Sequence, residues 1–252
     1  MKQGDFVWYE YAANDLDEAG AFYETVSGAW DIVSSGLPGM DYRIANAGTR
    51  GVAGFIAIMP EMQGQSPSWR GYIGVDDVDA MAEKVKDAGG AVHYGPDDIP
   101  MVGRFAVCAD PQGALFMIFK GAGEPQPDIS PETPGAIGWH ELTTSDWEGA
   151  WRFYSGLFGW AKEIAVDMGD MGTYQTFTVN GVHVGGMMSV PGPAPAWLYY
   201  ITVDDIDAAA KRIADAGGTI QRGPHEVPGG AWIVVATDPQ GAAFAASGPK
   251  KA

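Results

Sequence analysis

The chain has 252 residues, of which 46% are hydrophobic and 19% charged, a composition typical of a globular protein with room for one large or two ordinary domains. Its formal net charge of −17 would repel a polyanion, and no run of about 18 apolar residues is present, so neither nucleic acid nor a membrane is expected as a partner. The single cysteine, Cys108, excludes an internal disulfide and a cysteine-rich zinc site, and the absence of a visible secretory signal predicts a cytoplasmic location.

Two units of strand, helix and further strands are predicted in the first half of the chain. The first unit runs over about 6–59, and alternate residues of its opening segment, 6–11, differ in character as on the two faces of a strand. A proline-containing joint is predicted at 60–67. The second unit of the same kind is predicted over about 71–120.

The helix and the hairpin of this second unit have specific local signals. Gly89-Gly90 ends the helix, and the tetrapeptide Asp-Pro-Gln-Gly at 110–113 predicts a turn that joins the strands 105–109 and 115–119 into a hairpin. The apolar residues of the helix lie on one stripe. They are Val78, Met81, Ala82, Val85 and Ala88.

A proline-rich segment follows, and proline at this density interrupts helices and sheet ladders alike. We interpret 123–135 as a linker between a first domain, 1–122, and a second domain, 136–252. In the second domain, Ser145 followed by Glu148 is a capping-box pattern that opens the next helix.

The second half of the chain repeats the first. Several separate blocks recur in the same order and at a nearly constant offset, which becomes slightly shorter towards the end of the chain. This pattern indicates a duplication with a short net deletion. The recurring blocks include 8–10 with 139–141, 75–79 with 203–207, and 110–113 with 238–241.

The order of these elements and motifs resembles the vicinal oxygen chelate superfamily, which includes glyoxalase I, bleomycin- and fosfomycin-resistance proteins and extradiol dioxygenases. The resemblance covers essentially all of both halves outside the linker. It implies an α+β fold of four βαβββ modules, paired into two glyoxalase/bleomycin-resistance-type domains whose mostly antiparallel sheets curl around a pocket. It also implies a monomer that resembles a fused dimer, or a homodimer.

Metal-using members of this superfamily take their ligands from recurring positions, and counting along the motifs places six such positions in this chain. None of the six side chains offers the imidazole, carboxylate or thiolate that hard or borderline divalent cations require. The sequence therefore predicts no metal and no cofactor, and these residues become candidates for direct contact with a ligand. They are Trp8, Arg70 and Met117 in the first half, and Trp139, Leu198 and Ala245 in the second.

Glu10 and Glu141 each lie two residues after a tryptophan of this set, Trp8 or Trp139, and share its strand face. A carboxylate beside an indole could have a raised pKa and act as a general acid or base, which makes both glutamates candidate catalytic residues. It could instead hold a cationic ligand with the help of cation–π attraction. The alternative is a buried glutamate that accepts backbone hydrogen bonds.

Tyr72 and Tyr200 are further candidate binding residues, because they lie two residues after Arg70 and Leu198 on the same strand faces. The resulting lining is apolar and rich in aromatic residues, as in small-molecule pockets, although the same residues could fill a core. Arg70 has no cationic counterpart in the second half. It could pair with Glu10 or meet an anionic substrate.

The four histidines show no ligand-like spacing. His140 is next to a ligand position, but neighbours on a strand point to opposite faces, so it is expected to face away unless a bulge intervenes. His93 and His225 are expected at the surface or hydrogen-bonded, and His183 either in the second pocket or at a core or edge position.

The residues and the resemblance together predict a metal-independent protein that binds a small organic molecule. The alternative is a lyase, isomerase or dioxygenase of the same superfamily, with an atypical metal site that involves His140 or with a glutamate general base. A third alternative is an interaction protein with filled pockets. The sequence leaves open whether the protein is an enzyme, because this fold carries unrelated chemistries.

Overall fold

The computed structural model describes residues 2–37, 39–58, 64–124 and 126–251. Within them the chain forms 16 β-strands and four α-helices. Part of the predicted joint at 60–67 lies outside the described residues. In the described part of the chain, no helix combines the length and hydropathy needed to cross a bilayer.

The first half contains the strands β1 to β8 and the helices α1 and α2. In chain order these are β1 (Phe6–Ala13), α1 (Leu16–Ser27), β2 (Trp30–Ser34), β3 (Tyr42–Ala47), β4 (Arg50–Ala57), β5 (Ser68–Gly74), α2 (Val78–Asp87), β6 (Ala91–Ile99), β7 (Gly103–Ala109) and β8 (Leu115–Gly121).

The second half repeats this order, with a short 3-10 turn (Gly169–Met171) inserted after β10. Its elements are β9 (Ile137–Thr144), α3 (Trp147–Phe158), β10 (Ala161–Asp167), β11 (Thr173–Val179), β12 (Val182–Ser189), β13 (Ala196–Thr202), α4 (Ile206–Asp215), β14 (Thr219–Glu226), β15 (Trp232–Thr237) and β16 (Ala243–Gly248).

Each half forms one mixed sheet of eight strands, in the order β2-β3-β4-β1-β5-β8-β7-β6 and β10-β11-β12-β9-β13-β16-β15-β14. The hairpins are antiparallel, whereas the first strand of each module pairs in parallel with the last, as in β1 with β4 and β13 with β16. The prediction of an α+β fold built from four βαβββ modules is confirmed.

An aspartate precedes the helices as N-cap, because an anionic hydrogen-bond acceptor is favourable at a helix N-terminus. The carboxylate of Asp15 caps α1, and that of Asp146 caps α3 by accepting from the backbone N–H of Gly149. The capping-box prediction from Ser145 was therefore wrong by one residue. The Ser145 hydroxyl lies 2.8 Å from Oε1 of Gln112, to which it donates a hydrogen bond.

The local predictions for the second module hold with one correction. Four residues of the predicted stripe on α2 are buried, but Ala88 is exposed because it follows the last helical residue as the C-cap. The predicted hairpin is confirmed: β7 and β8 flank a turn in which the N–H of Gly113 donates to the carbonyl of Asp110 at 3.0 Å.

The chain divides into two units, and each unit combines residues from both halves. Unit 1 consists of Met1–Trp8, Arg70–Pro127 and His140–Trp197, and unit 2 of Tyr9–Trp69, Asp128–Trp139 and Leu198–Ala252. The boundaries of the predicted domains, 1–122 and 136–252, stay a prediction.

In each unit a glutamine from one half holds the start of a helix from the other half. In unit 2, Oε1 of Gln240 accepts from the N–H of Asp15 at 3.1 Å, and its Nε2 donates to the Asp15 carbonyl at 2.7 Å. In unit 1, Gln112 makes the same two contacts with the backbone of Asp146, both at 2.7 Å. The repeated Asp-Pro-Gln-Gly turn therefore joins the halves as well as closing a hairpin.

The same turn places a buried carboxylate in the aromatic core of unit 2. Oδ2 of Asp238 accepts hydrogen bonds from the hydroxyls of Tyr11 at 2.5 Å and Tyr23 at 2.9 Å. Its Oδ1 accepts from two backbone N–H groups of its own turn, at 2.9 Å each. Both tyrosines are fully buried, and Nε1 of Trp69 donates to the Tyr23 hydroxyl at 2.8 Å.

Unit 1 contains a reduced version of this network. Asp110 takes the place of Asp238, and Nε1 of Trp197 donates to the hydroxyl of Tyr154 at 3.0 Å. Leu142 takes the place of Tyr11 in the internal repeat and has no hydroxyl to donate. Burial raises the pKa of Asp110, against the opposing effect of hydrogen bonds from its turn and from Tyr154.

We predict that Tyr11→Phe lowers the free energy of unfolding by about 2 kcal/mol, because the substitution removes a buried hydrogen bond to the Asp238 carboxylate. Urea denaturation at neutral pH measures this change.

Tyr94→Phe is the matched control, since the Tyr94 hydroxyl donates to Asp97 at the same distance of 2.5 Å but on the exposed surface. Its effect should stay within about 0.5 kcal/mol. Equal effects of the two substitutions would show that burial does not give the Tyr11 hydrogen bond its importance.

Candidate functional site

An apolar cluster in unit 2 contains the four binding residues predicted in the second half. Tyr200 and Ala245 are paired in register on β13 and β16, and both are buried together with Ile233. Trp139 and Leu198 are partly buried and pack against these three residues. The structure therefore brings the predicted second-half set together.

The alternation of side chains along β13 explains this grouping. Leu198 and Tyr200 share one strand face. Tyr199, between them, instead contacts the ring of Tyr9 edge-on, with the ring centroids 5.6 Å apart. Because Trp139 and Leu198 are only partly buried, the cluster offers indole and alkyl surface that an apolar ligand could cover.

The first-half set lies in unit 1. Arg70, Tyr72 and Met117 are buried, and Trp8 is partly exposed. Tyr72 is in register with Met117 on β5 and β8, and its ring meets that of Phe119 edge-on at a centroid distance of 5.9 Å. This set is also mainly apolar, with Arg70 as its cation. The pairing of Arg70 with Glu10 stays a prediction.

The donor groups at these positions do not fit a divalent metal ion. Indole, thioether, isobutyl, methyl and guanidinium groups occupy the six ligand positions implied by the superfamily. Over the ranges that the structure describes, no three side chains of His, Cys, Asp or Glu come together in a group that could hold a metal.

His140, the candidate ligand of an atypical metal site, is buried in unit 1. Its ring stacks on Phe6 with a centroid distance of 3.9 Å and an interplanar angle of 7°. Its Nδ1 lies 2.7 Å from the carbonyl of Val184, and since a carbonyl only accepts, Nδ1 carries the proton. Burial lowers the pKa of His140 to about 4, so the ring is neutral at pH 7.

The other histidines lie nearer the surface. His93 is exposed and His225 partly exposed. His183 is also exposed, and its Nε2 lies 3.4 Å from Oε2 of Glu163. His183 lies near the exposed start of β12, which is an interior strand of the sheet, so it is not a core residue.

The two candidate catalytic glutamates are both nearly buried, at 9% exposure for Glu10 and 8% for Glu141. The hydroxyl of Tyr174 donates to Oε2 of Glu141 at 3.2 Å. Sequence reasoning missed this tyrosine, although a signal was available: Tyr174 corresponds to Tyr42 in the internal repeat.

The whole chain is similar to proteins of one superfamily. The sequence model of the "Glyoxalase/Bleomycin resistance protein/Dioxygenase superfamily" matches residues 5–118 and 136–245. CFP32 of Mycobacterium bovis, named as a candidate glyoxylase, is 32% identical over 98% of this chain and 96% of its own length.

Two further similarities concern a biosynthetic protein and a solved structure. The anthracycline biosynthesis protein DnrV of Streptomyces peucetius is 32% identical over 73% of this chain and 66% of its own length. The crystal structure of the Mn(II)-bound glyoxalase from Novosphingobium aromaticivorans has a TM-score of 0.68 and 19% identity, over 99% of this chain and 83% of that one. At this identity the similarity shows the fold.

The buried neutral state of His140 leads to a prediction about pH. The unfolded chain binds a proton at His140 near pH 6.5, whereas the folded protein does so only near pH 4. The contribution of this residue to stability is therefore complete above pH 6.5 and decreases as the pH falls towards 4, by up to about 3 kcal/mol.

The variant His140→Asn keeps a hydrogen-bond donor but does not titrate. We therefore expect its free energy of unfolding to fall less than that of the wild type as the pH decreases from 6.5 to 4. The measurement is the free energy of unfolding in urea from pH 7 to pH 4. His93→Asn, at an exposed position, serves as control and should keep the wild-type pH dependence. Parallel pH profiles of wild type and His140→Asn would contradict the assignment.

Proposed function

The chain belongs to the glyoxalase/bleomycin resistance protein/dioxygenase superfamily, and we propose that within it the protein binds a small, partly aromatic organic molecule without a metal ion. The observation that carries this proposal is the apolar cluster around Tyr200 and Ala245. Such clusters of aromatic and alkyl groups, with few polar groups, are typical of small-molecule sites.

The chemistry of the ligand positions supports the metal-free part of the proposal. Trp139, Leu198 and Ala245 lie at second-half positions where metal-using members carry ligands, and two of them pack in the apolar cluster with partial exposure. Trp139 and Leu198 offer surface to an organic ligand, and none of the three residues can coordinate a hard cation.

The names of the relatives support an aromatic ligand. DnrV and DauV, the latter 31% identical over 188 residues, are named for anthracycline biosynthesis, and anthracyclines are polycyclic aromatic compounds. A fused aromatic ring fits the indole and phenol groups of Trp139 and Tyr200.

The second candidate function, an enzyme with Glu141 as general base, is favoured by the name of CFP32 and by the Tyr174 hydrogen bond to that carboxylate.

Binding to the cluster is tested with a soluble fused-ring probe, 6-hydroxynaphthalene-2-sulfonate, whose own fluorescence reports the complex. We predict saturable binding that Leu198→Glu weakens at least about tenfold, because a carboxylate replaces apolar contact surface.

Leu115→Glu is the control, since Leu115 is 44% exposed and lies outside the cluster. It should bind the probe like the wild type. If the wild type does not bind the probe up to millimolar concentration, or if the two variants behave alike, binding at this cluster is excluded.

Elemental analysis separates metal-free ligand binding from the alternative of an enzyme with an atypical metal site. Protein purified without chelator should contain no stoichiometric divalent metal, and dialysis against EDTA should leave the affinity for the probe unchanged. A stoichiometric metal that is lost in His140→Ala would instead favour an enzyme with an atypical metal site.

A further inference from the structure

The apolar cluster of unit 2 lies on one face of the sheet formed by β13, β16, β15 and β14, and the strand registers show which other residues share that face. Residues in register on neighbouring strands point to the same side of a sheet. One row across these strands therefore starts inside the cluster and ends at a cation. Its members are Tyr200, Ala245, Val235 and Arg222.

A second row beside the first ends at a histidine. Its members are Thr202, Ser247, Ile233 and His225. In both rows the residue on β13 is buried, whereas Arg222 on β14 is exposed and His225 partly exposed. Because β14 is the last strand in the sheet order, Arg222 and His225 lie at the edge of the face that carries the apolar cluster.

These two residues are available to a ligand. None of the ion pairs in the described part of the chain includes Arg222 or His225. An exposed arginine by itself is common on protein surfaces. In this acidic chain, however, 15 lysines and arginines stand against 32 aspartates and glutamates. A cation at the end of an apolar row is therefore a specific feature of this face.

The equivalent positions of the first half carry the opposite charge. In the internal repeat and in strand register, Arg222 corresponds to Tyr94. His225 corresponds in the same way to Asp97. The Tyr94 hydroxyl donates to the Asp97 carboxylate at 2.5 Å. The sheet edge is thus acidic in the first half and carries a cation in the second, so only the second half suits an anionic group.

The protein's own side chains also fill less of this face in the second half. Ala245 and Ser247 take the places of Met117 and Phe119. In unit 1, Met117 is buried and the ring of Phe119 packs edge-on against that of Tyr72. Two small side chains replace two large ones beside a tyrosine that both halves keep. The second half therefore favours a ligand ring at this place.

We propose that the apolar cluster of unit 2 binds an aromatic organic anion, whose ring covers the cluster and whose acid group is bound by Arg222 and His225. This inference rests on the proposed function, to which it adds the charge of the ligand. The planar guanidinium of Arg222 makes charge-assisted hydrogen bonds to the oxygens of an acid group. His225 offers a ring N–H in either tautomer. Since β15 separates β14 from β16, Arg222 and Ala245 lie about 10 Å apart, which leaves room for a ring between them.

The test compares two probes that differ in charge but hardly in shape, 6-hydroxynaphthalene-2-sulfonate and the neutral 6-hydroxynaphthalene-2-sulfonamide, at neutral pH and equal ionic strength. Probe fluorescence gives both dissociation constants. Wild-type protein should bind the sulfonate at least about fivefold more tightly. The net charge of −17 acts in the opposite direction, because it repels the anion. A preference for the sulfonate therefore requires a cation at the site.

Variants of Arg222 locate that cation. Arg222→Met keeps an unbranched apolar side chain without the charge, so it should reduce the preference to within about twofold. Its affinity for the sulfonamide should stay unchanged, which also shows that the variant is folded. Arg222→Glu should reverse the preference. Arg152→Met is the matched control, because Arg152 is an exposed arginine on α3, in unit 1, and its loss changes the net charge equally. This control should keep the wild-type preference.

The outcomes distinguish the inference from the function on which it rests. If the wild type binds neither probe, the proposed function fails and the inference fails with it. If the wild type binds both probes equally or prefers the sulfonamide, the inference is overturned while binding at the cluster stands. A preference that survives in Arg222→Met, or that Arg152→Met loses to the same extent, also overturns it. A preference lost only in the Arg222 variants supports it.

Discussion

The interaction on which unit 2 depends is the burial of one carboxylate, Asp238, among aromatic rings. An unpaired charge in such surroundings is strongly unfavourable, so the position requires several donors at once. Tyr11, Tyr23 and the backbone of the Asp-Pro-Gln-Gly turn provide them. Tyr11 belongs to β1, Tyr23 to α1 and the turn to the last module. One carboxylate thereby fixes three elements, and Gln240 of the same turn holds the residue that precedes α1.

Unit 1 shows which parts of this hydrogen-bond network differ between the two units. Leu142 replaces the tyrosine of β1, and Asp110 is left with fewer hydroxyl donors and a raised pKa. The Gln112 contacts to Asp146 are nevertheless kept. Both units thus share the contacts of the turn glutamine with the helix start, and they also share the tryptophan–tyrosine hydrogen bond of the core. The replacement of Tyr11 by Leu142 is the difference between the two networks. The binding positions are also kept in part: Trp8 corresponds to Trp139 and Tyr72 to Tyr200, whereas Leu198 replaces Arg70 and Ala245 replaces Met117. Under the proposed function, the two units can therefore hold different ligands.

Membership of the superfamily does not determine the chemistry of the site. The fold fixes where side chains lie, and the sequence of each member decides which side chains these are. In this chain the ligand positions carry mainly apolar groups, and the nearly buried carboxylates lie on the first strand of modules one and three, at Glu10 and Glu141. The Tyr174 hydroxyl donates a hydrogen bond to the second of these carboxylates. In small-molecule sites, apolar and aromatic surface generally provides affinity and a few polar groups fix the orientation of the ligand.

The sequence by itself determined the features that depend on local patterns. The repeat predicted four βαβββ modules, the glycines predicted the end of α2, and the Asp-Pro-Gln-Gly turns predicted the hairpins. Strand alternation placed Leu198 and Tyr200 on one face, as the structure has them. Only the tertiary structure decided which residue caps α3, because Gln112, from the other half of the chain, holds the Ser145 hydroxyl. It alone also joined residues of both halves in each unit and carried Tyr174 across β12 to Glu141. Such contacts depend on strand order and on distant partners, and periodicity along the chain contains neither.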